Sequence, residues 1–485
     1  MDLHIFFLPF LAPGHMIPMI DLARLFADRG AKATIITTTA NVPLIQPTID
    51  LANNSLQHQI QLLAIPFPYS ESGILEGHEN ITAFSNPDLT PEFYAAICML
   101  EAPFRQLAND HHPDCIISDV FYPWSASLAL ELGIPRLLLH ITSFFSIILV
   151  GAIGRLKPHE SVASDEQPFV VPEIPHRIEM TRSQLPGFII GTPLSDFYKQ
   201  LGDSHRSTYG TIVNSFHEME HDYVDQLKER GDMKLWQVGP VSLRNQNLHD
   251  KLVRGHKASA DCDRCLSWLD TKKPRSVLYI CFGSLGRFTR TQLCEIASGL
   301  EASAHPFIWV VRYGGEPSEW LPEGFEERVI CRGRGLIISG WAPQLLILNH
   351  EVVGGFVTHC GWNSCMEGAS AGLPMITWPL FGEQFFNEKL IVDVLRIGIA
   401  IGAKVCRSKE EERMMVRREE IRRAVNELMG SGEEADGRRE RAREVGKMAR
   451  RAVEEGGGSY NELSSLIEDL LSLKAGKIQS AKAGE

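Results

Sequence analysis

WAPQLLILNHEVVGGFVTHCGWNSCMEGASAGLPMITWPLFGEQ, residues Trp341 to Gln384, is the stretch from which the fold can be read. Gly354 to His359 (GGFVTH) is a short apolar run with β-branched residues, which predicts a buried strand. Cys360, Gly361 and Trp362 make a turn. Asn363 and Ser364 are good caps for a helix over Cys365 to Ala371. A strand–turn–helix of this kind points backbone N–H groups and a positive helix end at one spot, which suits a diphosphate. His359, at the strand's end, can face the same anion. Glu367 lies three residues past Ser364, so the two share a helix face, and its carboxylate can bridge two ribose hydroxyls. Trp341 and Gln344 supply a flat ring and an amide for a base, with Ala342 between them on the same side. Glu383 and Gln384 close the stretch with acceptors and donors for sugar hydroxyls.

Outward from it, strands and helices alternate. Arg275 to Leu285 (RSVLYICFGSL) predicts a strand running into a Gly-Ser loop, where Ser284 adds a phosphate contact. A helix over Thr291 to Ala302 and a strand over Pro306 to Arg312 follow. Gly335 to Trp341 and Gly372 to Pro379 add strands around the central stretch. The same opening occurs earlier: strand Leu3 to Pro9, loop Leu11 to Pro18, helix Met19 to Arg29, strand Ala31 to Thr38. Two such openings predict two sheets of one kind. Between them, Ile60 to Phe67, Asp114 to Asp119 and Pro135 to His140 read as strands, and Glu92 to Asn109 and Trp124 to Leu132 as helices, an α/β doubly wound pattern. Lys157 to Pro186 has little periodicity and reads as a loop on the acceptor side. Ser242 to Ala260 reads as a linker. Glu410 to Arg451, dense in both charges, reads as a solvated helical face.

The 485 residues leave room for two domains with large cores. A net charge of −12 disfavours nucleic acid and anionic membrane as partners. Leu137 to Ile153 is the most hydrophobic segment, but it is short for a membrane span and carries polar residues, so a buried strand and helix are expected. Met1 to Phe10 lacks the basic start of a signal peptide. Scattered cysteines in apolar runs (Cys98, Cys115, Cys281) fit reduced thiols in the cytoplasm, and the Cys262/Cys265 pair has no second pair to make a zinc site. No carboxylate pair stands out for Mg²⁺, so no metal is expected. The protein is expected to be a monomer.

Two residues supply chemistry for deprotonating a hydroxyl. His15 follows the first strand, at the carboxyl edge where open α/β sheets bind ligands. A neutral imidazole there can take a proton as attack proceeds. Asp119 ends another strand and can reach the same edge, where a carboxylate on the far ring nitrogen fixes the tautomer. His140 also ends a strand and is the alternative base; His111 and His112 read as surface loop. Thr142, just beyond, is a further candidate to touch a sugar. Phe121, Tyr122, Trp124, Phe144 and Phe145 are candidates to line an apolar acceptor pocket, Phe121, Trp124 and Phe144 foremost.

The pattern W-x-P-Q, H-C-G-W-N-S, E-G and E-Q resembles the signature box of the plant family 1 UDP-glycosyltransferases. The resemblance runs over nearly the whole chain and includes GHMIP near the start and GEQFFNEKL after the box. It implies two Rossmann-like domains facing across a cleft (the GT-B arrangement): residues 1–248 binding the acceptor, 249–458 binding the UDP-sugar, and a last helix within 459–485 returning to the first domain. It also implies a His15–Asp119 dyad (PGHMIP and ISDVFYPW), metal independence, and glucose as the sugar, since terminal Gln384 and Trp362 fit glucose-preferring members. Direct displacement then inverts the anomeric centre, giving a β-glucoside of a small hydrophobic natural product such as a flavonoid, triterpenoid, steroid or other phenolic. The rivals are another donor (UDP-galactose or a UDP-pentose), a non-catalytic nucleotide-sugar-binding protein, and a dinucleotide oxidoreductase. The last lacks a GxGxxG with its ribose carboxylate.

Overall fold

The structure is a computed structural model. It describes residues 2–483 except 55, 57, 85–89, 192–193, 232, 256–261 and 313–315, and it gives no account of the side chains of 262, 263, 318, 478 and 480–483. The first cysteine of the CxxC, Cys262, and the end of the expected linker therefore lie outside the described residues. The chain divides into two compact units, one made of Met1–Ile141, Thr192–Asp250 and Arg451–Glu485, the other of Thr142–Gly191 and Lys251–Arg450.

The first unit is built on seven parallel strands: β1 (His4–Leu8), β2 (Lys32–Thr38), β3 (Gln61–Ile65), β4 (Cys115–Asp119), β5 (Arg136–His140), β8 (Gly210–Val213) and β9 (Lys234–Gln237). Their order is β3-β2-β1-β4-β5-β8-β9. Central strands such as Ile5–Leu8 and Cys115–Asp119 are buried along their whole length, because helices cover both faces of a parallel sheet. The order reverses between β1 and β4, where Leu8 is paired with Ser118. That pairing opens a crevice at the carboxyl edge. The last helix, Gly458–Ala483, belongs to this unit: Leu463, Leu466, Ile467 and Leu470 enter its core, and Lys474 pairs with Asp114 at 3.0 Å.

The second unit contains six parallel strands: β10 (Val277–Cys281), β11 (Phe307–Val311), β12 (Gly335–Ser339), β13 (Val353–Thr358), β14 (Met375–Thr377) and β15 (Gly398–Ala400). They run β12-β11-β10-β13-β14-β15, with the reversal between β10 and β13, where Cys281 is paired with Thr358. Gly355 faces Leu428 and Met429 so closely that an added Cβ would meet them at 2.6 and 3.0 Å, which explains the paired glycines at this strand's start.

Four local readings change. The helix after β1 begins at Pro13, not Met19: Pro13 occupies the first turn, where a missing N–H is harmless, and His15 N and Met16 N both donate to Ala12 O at 2.9 Å. Residues 157–186 are not all loop. β6 (Pro168–Val171) and β7 (Ile178–Thr181) form an antiparallel hairpin, with Phe169, Val171, Ile178 and Met180 buried and Val170 and Glu179 turned outward. This period of two is only four residues long on each side, too short to stand out among prolines and charges. The start of the expected linker is fixed, since Arg24 donates to Asn245 at 2.6 Å and to Asp250 at 2.9 Å. Finally, the box helix starts at Trp362 with Gly361 as its N-cap, rather than behind Asn363 and Ser364. Among the described residues no helix is long and apolar enough to cross a membrane.

Candidate active site

The crevice of the first unit holds the expected pair. His15 sits in the first turn of the helix Pro13–Asp28 and Asp119 at the end of β4, and the β1–β4 pairing brings these ends together. His15 Nδ1 lies 2.7 Å from Asp119 Oδ2. The carboxylate is fully buried while the imidazole is 22% exposed, so the pair presents its ring and hides its charge. The other oxygen, Oδ1, accepts from Phe121 N at 3.1 Å, which locks the carboxylate. A carboxylate on Nδ1 holds the proton there and leaves Nε2 as the basic atom.

Aromatic rings surround this imidazole. Phe10 is 5.1 Å and Phe121 5.6 Å from it, and Phe121 stacks on Phe197 at 6.1 Å. Phe121 is partly exposed and keeps its expected place; Phe10 and Phe197 were missed, because neither stands near Asp119 or His140 in the sequence. Trp124 does not line this surface. Its indole donates to Ile97 O at 3.1 Å and it packs edge-on against Phe104. Tyr122 is also interior, donating to Pro9 O at 3.1 Å. Phe144 and Phe145 are wholly buried in the second unit. The alternative base His140 is unsuited: its Nε2 is sealed from water, and burial next to His205 and Arg136 holds the ring well below the usual histidine range. His111 ends a helix and rests near Phe6, and His112 caps that helix in a left-handed conformation.

The second unit carries the other constellation, again at its switch point. Gly283, after β10, and Gly361, after β13, flank the His359 imidazole. A Cβ on Gly283 would stand 2.5 Å from Cε1, and one on Gly361 would stand 2.4 Å from Nε2. Gly283 also has φ +72°, open to glycine at no steric cost. His359 Nδ1 is buried without a hydrogen-bond partner, and burial, aided by Arg413, pushes the imidazole down to about 4. The ring is therefore neutral at pH 7 and offers an N–H rather than a charge. Beside it the helix Trp362–Ser370 begins with no side-chain cap, so its first amides face out with the positive helix end. A buried orphan donor beside an uncapped helix start is what a phosphate oxygen satisfies. Ser284 follows Gly283 and is partly exposed; Asn363 and buried Ser364 lie in the first helical turn. Trp362 is 2% exposed, so its ring is core and its contribution at this turn is its backbone.

Gln344 differs from its expected part. Its Nε2 donates to Glu367 Oε2 at 2.7 Å and lies 3.3 Å from Ser364 Oγ, and its Oε1 accepts from Tyr279 at 3.3 Å. The amide holds the carboxylate rather than standing ready for a base. Trp341, partly exposed, carries the Arg312 guanidinium 5.5 Å from its ring centroid, and Ala342 beside it is buried. Gln384 is likewise committed on one side: Oε1 accepts from Leu380 N at 2.8 Å and Phe381 N at 3.1 Å, leaving N–H groups as its free offer. Glu383, the N-cap of that short helix, is partly exposed and supplies the acceptors. Thr142 has its hydroxyl buried with no partner. Its neighbour Ser143 and Ser146 both donate to Asn387 Oδ1 at 3.0 Å, and Asn387 Nδ2 donates to Cys360 O at 2.9 Å. Asn387 thus ties the Thr142 turn to the Cys360–Gly361 turn. It was present in the GEQFFNEKL match, but only the fold brings Ser143 to it.

Burial of imidazoles sets the acid limit of the fold. His4, His205 and His359 are each lowered from 6.5 to about 4 by desolvation. Their unfolded forms take up protons first, so their contribution to stability is complete above pH 6.5 and is lost as pH falls toward 4. Buried Glu388, raised to about 7, works the other way, but it is one group against three. The urea midpoint is expected to fall between pH 6.5 and 4. An unchanged midpoint over that window would contradict these burial assignments.

The family model for UDP-glucoronosyl and UDP-glucosyl transferase matches residues 252–409. The scopoletin glucosyltransferase of Nicotiana tabacum is 47% identical over 472 residues, covering 97% of this chain and 98% of that protein. The anthocyanin 3'-O-beta-glucosyltransferase of Gentiana triflora is 45% identical, covering 97% and 99%. The Glycyrrhiza uralensis UGT73P12 structure, complexed with glycyrrhetinic acid 3-O-monoglucuronide, superposes with a TM-score of 0.92 at 42% identity, covering 100% of this chain and 99% of that one. The chain belongs to the plant family 1 UDP-glycosyltransferases, enzymes of the GT-B fold class.

Proposed function

We propose that this protein transfers glucose from UDP-glucose to a hydroxyl of a small hydrophobic plant natural product, a flavonoid, triterpenoid or other phenolic, with inversion to a β-glucoside. The observation that carries the reading is the His15–Asp119 contact of 2.7 Å, with the imidazole still partly open. A module that only binds nucleotide sugars has no use for an oriented base. His15 Nε2 removes the acceptor's proton while Asp119 stabilises the imidazolium that forms. In the second unit, His359 Nδ1–H and the first amides of the box helix, with Ser284, receive the charge that develops on the leaving UDP. Trp341 and Ala342 meet the uracil, Glu367 the ribose, and Glu383, Gln384 and Thr142 the glucose hydroxyls. The two glucosyltransferase relatives act on a coumarin and an anthocyanin, which supports glucose and a phenolic acceptor.

In this reading the phosphates are held by protein N–H groups and no metal takes part. Buried free thiols such as Cys115, Cys281 and Cys360 support a cytoplasmic location, and a monomer suffices for the chemistry. The test is purified protein with UDP-glucose and a panel of hydroxycoumarins, flavonoids, triterpenoids and steroids, read by mass. A hexose adduct is expected on at least one member, at a rate that excess EDTA leaves unchanged. No adduct on any member from folded protein would reject the acceptor class, and loss of turnover with EDTA would reject the metal-free reading. Competition of UDP-glucose with UDP-galactose and UDP-xylose decides the sugar.

A further inference from the structure

Glu367, assigned above to the donor's ribose, already has a partner on each oxygen. Oε1 accepts from Arg254 Nη1 at 2.6 Å and Oε2 from Gln344 at 2.7 Å. The Arg254 and Glu367 side chains are only 9% and 5% exposed, so water cannot substitute freely for either. Arg254 stands after the short helix Leu248–Val253, 113 positions before Glu367 and outside the signature stretch. Gln344 is anchored by Tyr279 and is part of the framework. Arg254 hangs from a chain segment and is the movable partner.

We propose that Arg254 stands in for the ribose: it occupies Glu367 Oε1 in the free protein, and a ribonucleotide's hydroxyl displaces it on binding. The inference rests on the reading of Glu367 as the ribose acceptor. A diol gripped by one carboxylate donates to both oxygens, and a charge-assisted contact on Oε1 competes with it directly. Separating a nearly buried ion pair opposes donor binding. A residue outside the donor box therefore holds down affinity for the nucleotide. Removing the guanidinium leaves Glu367 buried and short of a donor, and a ribose hydroxyl then relieves a larger deficit.

The test is calorimetric binding of UDP and of 2',3'-dideoxyuridine 5'-diphosphate to the full chain, as wild type and as Arg254→Ala. The variant is expected to bind UDP about tenfold tighter, the scale of one hydrogen bond to a charged group. Its affinity for the dideoxy nucleotide is expected to stay unchanged. Weaker UDP binding by the variant would make Arg254 a fixed support of the donor site and overturn the proposal. So would equal UDP affinity in the two proteins, or an equal gain for both nucleotides. Should Arg254→Ala fail to fold, Arg254→Met keeps the apolar stem and gives the same readings. A wild-type protein that binds no UDP would instead sink the functional reading itself.

Discussion

His15→Ala is expected to lower kcat for transfer to a hydroxyl by about 10²–10⁴-fold, the range of a positioned general base, with UDP affinity unchanged. The separation of the two effects is the informative part. His15 and Asp119 lie in the first unit, and every group assigned to the nucleotide lies in the second. Only the proton transfer depends on the imidazole, so kcat falls while the Kd for UDP, measured by calorimetry, stays put. Asp119→Asn is expected to lower kcat as well, because an amide can offer its N–H to Nδ1 and favour the wrong tautomer. Turnover of His15→Ala within threefold of wild type would remove His15 as the base.

Gly361→Ala is expected to act on the other half of the reaction. An added Cβ would lie 2.4 Å from His359 Nε2, far inside van der Waals contact. The ring cannot retreat, because Gly283 closes its other side with a Cβ position 2.5 Å away. Overpacking of this kind costs about 1–3 kcal/mol, and here it displaces the orphan Nδ1 and the helix start together. KM for UDP-glucose is expected to rise about tenfold or more, by the usual conversion of 1.4 kcal/mol per decade. Gly202→Ala is the control: it lies in the helix Ser195–Arg206, has open space around it, and is expected to change neither KM nor stability. An unchanged KM in Gly361→Ala would mean that the imidazole is not part of the donor cradle.

The sheets were legible from sequence because buried parallel strands appear as unbroken apolar runs, as in Val277–Cys281 and Cys115–Asp119. His15 and Asp119 were legible because both stand where strands end, and a parallel sheet brings its ends to one edge. The failures share a cause. Trp124, Tyr122 and Phe144 were near the right strand ends, but a ring beside an edge can turn inward, and only packing decides which way. Gln344 looked like a base contact until Tyr279 and Glu367 claimed its amide. Arg254 was invisible because its partner is 113 positions away, and nothing local marks it. The helix start at Pro13 was masked by Gly14 and Pro18, which read as loop residues, although proline in a first turn is favourable.

The central claim is a single displacement at the anomeric carbon of UDP-glucose by a hydroxyl that His15 deprotonates. The most direct measurement is proton NMR of the glucoside made by the wild-type protein from UDP-glucose and a phenolic acceptor. The account requires the β anomer. An α-glucoside, or no glucoside from protein shown to bind UDP, would contradict it.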